Sequence, residues 1–215
     1  MSHLIEEWED LWQEFYAVCG DVDVSQDYIS SVYDLLESLR IKEEAHYLHC
    51  LRVGLLAAKI GKFIYLPQKP LLLSGAMHDI GKREISSGVL VKSSGWNASD
   101  EREVHRHAVS GWHILKDRFP FTADIIVQHH RFQNNGYPKR LPSKLHKYSE
   151  STKLLILDCA RVVALADVYD ALHRVNDKFG ETRALTPEEI KEKMFELNKD
   201  KELLVAALYQ EGILK

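Results

Sequence analysis

Apolar residues recur along this chain every three or four positions, which is the spacing of one face of an α-helix. The first such stripe runs from residue 4 to residue 18 and contains Trp8, Trp12 and Phe15. The same spacing predicts further helices over residues 25–40, 43–61, 71–78, 99–118, 122–130, 153–173, 186–197 and 201–211. The strict alternation of apolar and polar residues that is typical of strands is nearly absent. We therefore predict an all-α fold, a helical bundle of about eight or nine helices.

Residues that favour helix ends predict where several of these helices begin or end. Ser25, Ser99 and Thr122 are the predicted N-caps of three helices, because their hydroxyls can accept hydrogen bonds from free backbone amides. Thr186-Pro187-Glu188-Glu189 has the form of a capping box with proline at the first helical position. Gly81 is predicted to end a helix in a left-handed turn.

Composition bounds the class of protein. The length of 215 residues predicts one domain, or one domain with a small extension. A net charge of -4 excludes an overall basic surface for long nucleic acid, so a small anionic ligand would need a local cationic pocket. Three cysteines far apart, without a CxxC motif, indicate reduced thiols in a cytoplasmic protein. The acidic N-terminus lacks the pattern of a signal peptide, and no apolar run reaches the ~18 residues that span a membrane.

The stretch Met77-His78-Asp79-Ile80-Gly81-Lys82 carries the first candidate chemistry. Adjacent His78 and Asp79 offer an imidazole nitrogen and a carboxylate oxygen, ligand types that suit divalent first-row metals. Lys82 would add a mobile cation beside an anion held by the metal. A single His-Asp pair is weak evidence, so the other histidines and acids decide its meaning.

Five further positions supply imidazoles. His49 lies on the apolar face of the predicted helix 43–61. His105 and His107 are two residues apart and face different directions, so only one of them is expected to enter a site. His129-His130 are about 100° apart around a helix, so both reach one metal cluster only if it lies over the helix end.

Two carboxylates and one loop complete the candidate residues. Asp167, with Asp170 one turn later, lies in a strongly apolar helix, where a carboxylate needs a cation or hydrogen bonds. The long connection over residues 131–149 contains Gly136-Tyr137-Pro138, and a connection of this length in a compact domain is often functional.

Taken in order, these positions resemble a known family. A helical His49, then His78-Asp79, then a late Asp167 in an apolar helix resemble the HD phosphohydrolase superfamily. Over roughly residues 43–185 the chain resembles more particularly the HD-GYP subfamily, on four further motifs: His107 followed by Gly111, His129-His130, Gly136-Tyr137-Pro138, and Ala166-Asp167-Val168-Tyr169-Asp170-Ala171-Leu172.

The resemblance implies an HD-domain helical bundle with two or three metal ions, often iron or manganese, that hydrolyses a cyclic dinucleotide, chiefly cyclic di-GMP. Two divalent ions would activate a bridging water for in-line attack on phosphorus. The implied metal ligands are His49, His78, Asp79, His107, His129, His130 and Asp167. Asp79 and Lys82 are the implied catalytic residues, with Lys82 on a phosphate oxygen. The implied substrate-binding residues are Lys82, Arg52, Arg131, Gly136, Tyr137 and Pro138.

Three departures from the subfamily pattern qualify these expectations. Ala45 stands where members with three metals carry glutamate, so we predict two ions. Arg131 replaces a common glutamate, and residues 173–179 replace an Arg-Pro-Tyr-Arg segment that helps to bind nucleotide. Two alternatives therefore stay open, a metal phosphohydrolase of another nucleotide or phosphate ester, and a non-catalytic effector that binds nucleotide or a signalling protein.

The resemblance also divides the chain. Residues 1–42 are predicted to be an N-terminal helical extension packed on the core, and residues 43–215 an HD-GYP-like domain. A signalling partner would use the Gly136-Tyr137-Pro138 loop, and in the effector alternative also the helix that carries Trp8 and Trp12.

Overall fold

The computed structural model describes residues 2–92, 94–142, 147–174 and 183–215, without the side chains of residues 2–8. Its α-helices are α1 (Ser2–Asp21), α2 (Gln26–Arg40), α3 (Glu44–Phe63), α4 (Gln68–Met77), α5 (Ser87–Leu90), α6 (Ala98–His105), α7 (His107–Leu115), α8 (Pro120–Ile126), α9 (Glu150–Leu172), α10 (Pro187–Leu197) and α11 (Glu202–Gln210). Short 3-10 helices cover Ile80–Glu84, His129–Phe132 and Lys199–Lys201. No strand occurs in these ranges, which confirms the predicted all-α class. Within the same ranges, no helix is both long and apolar enough to cross a membrane.

The predicted helix over residues 99–118 is wrong in its start and its continuity. It is two helices, α6 and α7, which meet at Arg106. The N-cap of α6 is Asn97 rather than Ser99, because the Asn97 side chain accepts from the backbone amide of Asp100 while the Asp100 carboxylate accepts from that of Asn97. This reciprocal pairing satisfies two backbone donors, which a hydroxyl at position 99 would not.

Other boundaries depend on proline and serine. Helix α8 begins at Pro120, not after Thr122, since the fixed φ of proline suits the first helical position. Helix α9 begins three residues earlier than predicted, with the Ser149 hydroxyl as its N-cap. The capping box at Thr186 is confirmed, with Glu189 as its reciprocal partner.

Helix α3 is the centre of the bundle because its buried residues serve two apolar cores. On one side Leu51 packs with residues of α1, α2, α4, α7 and α8, among them Leu36 and Met77. On the other side Val53 packs with α9, α10 and α11. A helix that is apolar around most of its surface is held rigidly, so the side chains it carries have a fixed position.

The N-terminal helices belong to the first of these cores. Phe15 of α1 and Leu36 of α2 are fully buried. The Trp12 ring stacks on Phe15 at 5.4 Å and meets Tyr33 edge-on at 5.0 Å. This packing favours a core stripe over a partner-binding face for Trp12, while the Trp8 side chain lies outside the described residues. The domain boundary at residue 42 stays a prediction.

Gly81 lies where two segments touch. It does not adopt the predicted left-handed turn, since the positive-φ glycines of the described chain are Gly95 and Gly212. Instead, a Cβ at position 81 would lie 2.0 Å from the carbonyl oxygen of His107 and 2.6 Å from the amide nitrogen of Gly111. The close approach of the Ile80–Glu84 segment to α7 therefore requires glycine.

We expect Gly81→Ala to destabilise the fold by about 3 kcal/mol, because backbone cannot move aside as a flexible side chain can. Gly88→Ala is the matched control, since a Cβ there meets nothing within 4 Å. Urea unfolding monitored by circular dichroism measures both. Equal stability of the two variants would contradict the close approach.

Candidate metal centre

Seven predicted ligands come from five separate segments and converge in the interior. They are His49 on α3, His78 and Asp79 after α4, His107 at the start of α7, His129 and His130 in the 3-10 segment, and Asp167 on α9. All seven are buried. Their ligand-type atoms form groups in which every atom lies within 4.8 Å of the others. We refer to these seven residues as the His/Asp cluster.

Three of the imidazoles are oriented by helix ends. His78, His107 and His129 each direct Nδ1 at the carbonyl oxygen three residues earlier, in the last turn of the preceding helix, where carbonyls lack intrahelical partners. The distances are 2.7 Å to Gly75, 2.6 Å to Val104 and 2.5 Å to Ile126. Since a carbonyl can only accept, each Nδ1 carries a hydrogen, so the neutral form of each ring has its free lone pair on Nε2. This is the tautomer that a metal ligand needs.

A carboxylate orients His49 in the same manner. Its Nδ1 lies 2.7 Å from Oδ2 of Asp170, and the Arg52 Nε donates to Oδ1 of Asp170 at 2.6 Å. Burial alone would raise the pKa of Asp170, but the bonds from His49 and Arg52 outweigh it and hold that pKa well below its ordinary value. Arg52, a predicted substrate-binding residue, is thus engaged with the acid that positions a predicted ligand.

We expect Asp170→Asn to weaken Mn²⁺ binding by roughly 10–100-fold, because partners of this kind fix the orientation and basicity of a ligating imidazole. Asp158→Asn, on an exposed turn of the same helix α9, is the matched control. Isothermal titration calorimetry measures both affinities. An unchanged affinity in Asp170→Asn would show that His49 does not depend on this carboxylate.

The opposite ends of these imidazoles meet inside the cluster without hydrogen bonds. Among the described residues, the Nε2 atoms of His49, His78, His107 and His129 and the Oδ1 atom of Asp79 are buried and have no hydrogen-bond partner. Imidazole and carboxylate face each other at 3.1 Å from His49 to Asp167 and 3.2 Å from His107 to Asp79. Buried polar atoms left unsatisfied cost about 1–3 kcal/mol each. Lone pairs of nitrogen and oxygen converging in this way fit a divalent cation.

Burial and neighbouring carboxylates shift the pKa values of the imidazoles in the cluster. It lowers the pKa of His107 to about 3 and that of His129 to about 4, so both rings are neutral at neutral pH. Burial also acts to lower the pKa of His78, but the carboxylates of Asp79 and Asp167 more than offset it and raise that pKa to about 10. His78 therefore has to lose a proton when it binds a metal.

Lys82 lies at the edge of the cluster, with a side chain that is 15% exposed. Its Nζ donates to Oδ2 of Asp79 at 2.5 Å. Burial would raise the pKa of Asp79, but Lys82 and His78 reverse this and keep it well below its ordinary value. The Lys82 ammonium thus balances the charge of the buried Asp79 carboxylate. The same ammonium could bind an anion that enters the cluster.

The Gly136-Tyr137-Pro138 loop folds back over the cluster. The Tyr137 ring stacks on His105 at 3.9 Å and lies 4.5 Å from the His130 ring. A Cβ on Gly136 would lie 2.5 Å from the Arg131 carbonyl, so this close return requires glycine. Of the predicted substrate-binding residues, Tyr137 and Lys82 adjoin the cluster, whereas the Arg131 side chain is exposed. As expected from their spacing, His107 joins the cluster and His105 does not.

Sequence reasoning missed one pair beside the cluster. Glu43 is the N-cap of α3, and its carboxylate also contacts the ring of His46. The available signal was the three-residue spacing of His46 and His49, which places both on neighbouring parts of one helix face. Residues 175–179, most of the segment that departs from the subfamily, lie outside the described residues.

Comparison with known proteins agrees with this geometry. The family profile described as HD domain matches residues 47–172, a range that includes the whole His/Asp cluster. The chain is 31% identical over 160 residues to the cyclic di-GMP phosphodiesterase PA4108 of Pseudomonas aeruginosa, covering 70% of this chain and 36% of the relative. It is 27% identical over 139 residues to 3'3'-cGAMP-specific phosphodiesterase 1 of Vibrio cholerae, covering 61% and 30%. The chain thus spans about a third of the length of these relatives.

A solved structure shares the fold. The HD domain of the L. monocytogenes phosphodiesterase PgpH, determined in complex with cyclic-di-AMP, superposes with a TM-score of 0.54 at 19% identity, covering 82% of this chain and 96% of that one. The profile match extends over more than half of the chain, and the predicted superfamily is confirmed. This protein belongs to the HD domain family.

Proposed function

We propose that this chain is a metal-dependent phosphodiesterase of the HD-GYP subfamily that hydrolyses a cyclic dinucleotide such as cyclic di-GMP. The observation that carries the proposal is the set of four buried Nε2 atoms that converge with the carboxylates of Asp79 and Asp167. The Gly136-Tyr137-Pro138 loop supports the subfamily, because it packs against this cluster in the position where the motif can border a substrate.

Two divalent ions, iron or manganese, are the proposed cofactors. The cluster contains three ligand groups: Asp79 with His107, His129 and His130; Asp79 with His49 and His78; and Asp167 with His78 and His129. Because Asp79 belongs to the first two groups, its carboxylate could help to hold both ions. Ala45 supports two ions rather than three, since it offers no ligand atom beside His49.

The residues of the chain have separable roles in this reaction. When bound, the ions would supply Lewis-acid polarisation of the phosphodiester and of the attacking water. Lys82 binds a non-bridging phosphate oxygen and balances the negative charge that grows during attack. The carbonyls behind His78, His107 and His129, and Asp170 behind His49, hold the imidazoles in one orientation throughout.

The substrate class rests on the relatives and on local charge. The two curated relatives carry names that specify cyclic di-GMP and 3'3'-cGAMP, and the PgpH domain was solved with cyclic-di-AMP. A cyclic dinucleotide is a small dianion, which suits a chain with net charge -4 and a cation placed locally at Lys82.

A chromatographic assay tests the proposal. Protein loaded anaerobically with Fe²⁺ or with Mn²⁺ is incubated with cyclic di-GMP, 3'3'-cGAMP and cyclic di-AMP, and with a panel of phosphomonoesters. We expect at least one cyclic dinucleotide to be converted to its linear form or to mononucleotides. Hydrolysis of phosphomonoesters alone would favour the alternative phosphohydrolase, and tight binding of a dinucleotide without turnover would favour an effector.

The remaining predictions extend this proposal. We take residues 43–215 as the functional domain and residues 1–42 as an extension that completes one of its cores, which the burial of Phe15 supports. A cytoplasmic location is supported by the three free, buried cysteines. A signalling partner would contact the outer side of the Gly136-Tyr137-Pro138 loop.

A further inference from the structure

His46 lies beside the His/Asp cluster without belonging to it. The Glu43 carboxylate, which caps α3 by accepting from the amide of His46 at 2.9 Å, also lies 2.5 Å from Nδ1 of the same residue. The ring is therefore held through Nδ1, with its Nε2 atom on the opposite edge. Within the described part of the chain, Nε2 of His46 makes no hydrogen bond.

His46 lies on α3, three residues before the cluster residue His49. Its side chain is 15% exposed, whereas that of His49, one turn further along α3, is fully buried. Burial and then the Lys82 ammonium lower the pKa of His46, while Glu43 and the Asp79 carboxylate act in the opposite direction. His46 is thus close enough to Lys82 and Asp79, the two residues beside the proposed phosphate position, for their charges to act on its ring.

Hydrolysis of a phosphodiester has one requirement that the roles assigned so far leave open. As water adds to phosphorus, the bond from phosphorus to the ribose oxygen breaks and its electron pair stays on that oxygen. The resulting alkoxide is a poor leaving group unless it receives a proton in the transition state. Proton donation by a positioned side chain accelerates such steps by roughly 100-fold to 10,000-fold.

Resting on the proposed function, we propose that His46 is the catalytic residue that protonates this leaving oxygen from Nε2, with Glu43 holding its ring through Nδ1. The proton passes from Nε2 to the ribose oxygen, and the neutral imidazole takes a new proton from solvent before the next turnover. The attacking water releases its own proton to solvent, so the exchange balances. A phosphodiester anion bound beside the ring favours the imidazolium that donates.

The other imidazoles near this position are already engaged. The Nε2 atoms of His49, His78, His107 and His129 are directed into the cluster, toward the proposed ions. His105 is stacked on Tyr137. Lys82, an alternative donor, is paired with Asp79 and has the separate proposed task of holding a non-bridging oxygen. His46 combines a partly exposed position, an Nε2 atom without a hydrogen bond to any described residue and a carboxylate behind the ring.

The test compares two substrates whose leaving groups differ in their need for a proton. The variants are His46→Gln and His46→Asn in the Mn²⁺-loaded full chain, and His113→Gln on the exposed side of α7 is the matched control. The substrates are the cyclic dinucleotide that the wild-type chain cleaves and bis(p-nitrophenyl) phosphate, whose nitrophenolate leaves without protonation. Bound manganese is measured by mass spectrometry.

We expect kcat on the cyclic dinucleotide to fall by about 100-fold or more in both His46 variants. Their rates on bis(p-nitrophenyl) phosphate and their manganese content should stay close to those of the wild-type chain and of His113→Gln. Equal losses on both substrates, a loss of manganese, or unchanged rates would overturn this role for His46. A wild-type chain that cleaves no cyclic dinucleotide would instead overturn the proposed substrate class, and this inference with it.

Discussion

Asp79→Asn is expected to abolish measurable hydrolysis of the proposed cyclic dinucleotide substrate. Asp79 is the one residue shared by the ligand group of His107, His129 and His130 and the group of His49 and His78, so its loss would remove an anionic ligand from both proposed ions at once. Metal ions contribute several kcal/mol of charge stabilisation to such reactions, and a loss of ~4 kcal/mol corresponds to roughly 1,000-fold in rate. Initial rates at saturating Mn²⁺, with bound metal measured on the same samples, provide the check.

Asp158→Asn is the matched control, because it makes the same chemical change at an exposed carboxylate. It should retain wild-type activity and two ions per chain. If Asp79→Asn kept two ions and substantial activity, Asp79 could not be the shared ligand, and the arrangement proposed for the two ions would have to be abandoned.

Mn²⁺ is expected to raise the unfolding temperature of the metal-free chain by about 10–20 °C. Binding at 100 times the dissociation constant stabilises a folded protein by about 2.7 kcal/mol per site, so two sites supply about 5 kcal/mol. A chain of this size gains roughly 2–4 °C per kcal/mol. The gain arises because the ions satisfy buried nitrogen and oxygen atoms that have no hydrogen-bond partner in the described protein. Differential scanning calorimetry after treatment with EDTA, with and without Mn²⁺, measures it.

Two variants show whether the gain depends on the cluster. His78→Ala removes one ligand and should reduce the shift to that of a single remaining site. His113→Ala, on the exposed side of α7, should leave the shift unchanged. A full shift in His78→Ala would mean that Mn²⁺ stabilises the chain at some other place.

Local sequence patterns were sufficient to predict the type and order of the secondary-structure elements. Helical periodicity is strong here because most helices bury one face, so the all-α class could be read from spacing alone. The capping box at Thr186 was equally readable, since all of its partners lie within four residues. The start of α6 was missed because Ser99 and Asn97 are both good N-caps, and only the pairing of Asn97 with Asp100 decides between them.

The same distinction between local pattern and long-range contacts applies to the candidate site. Residue types and their order pointed to the ligand set, because an imidazole or a carboxylate buried in an apolar helix needs a cation or a hydrogen-bond partner. The role of Gly81 was predicted wrongly, since its reason is a contact with the backbone of His107, 26 positions away. The contact of Arg52 with Asp170 was not predicted, since the two residues are more than one hundred positions apart.

By itself, the sequence determined that this protein is helical, which side chains have metal-ligand chemistry, and the family whose motifs they follow. Only the tertiary structure decided that the imidazoles converge, that Nδ1 atoms are held by carbonyls at helix ends and by Asp170, and that Tyr137 borders the cluster. The physical reason is the distance along the chain over which each feature acts. Periodicity and capping are properties of neighbouring residues, whereas convergence depends on how distant helices pack around α3.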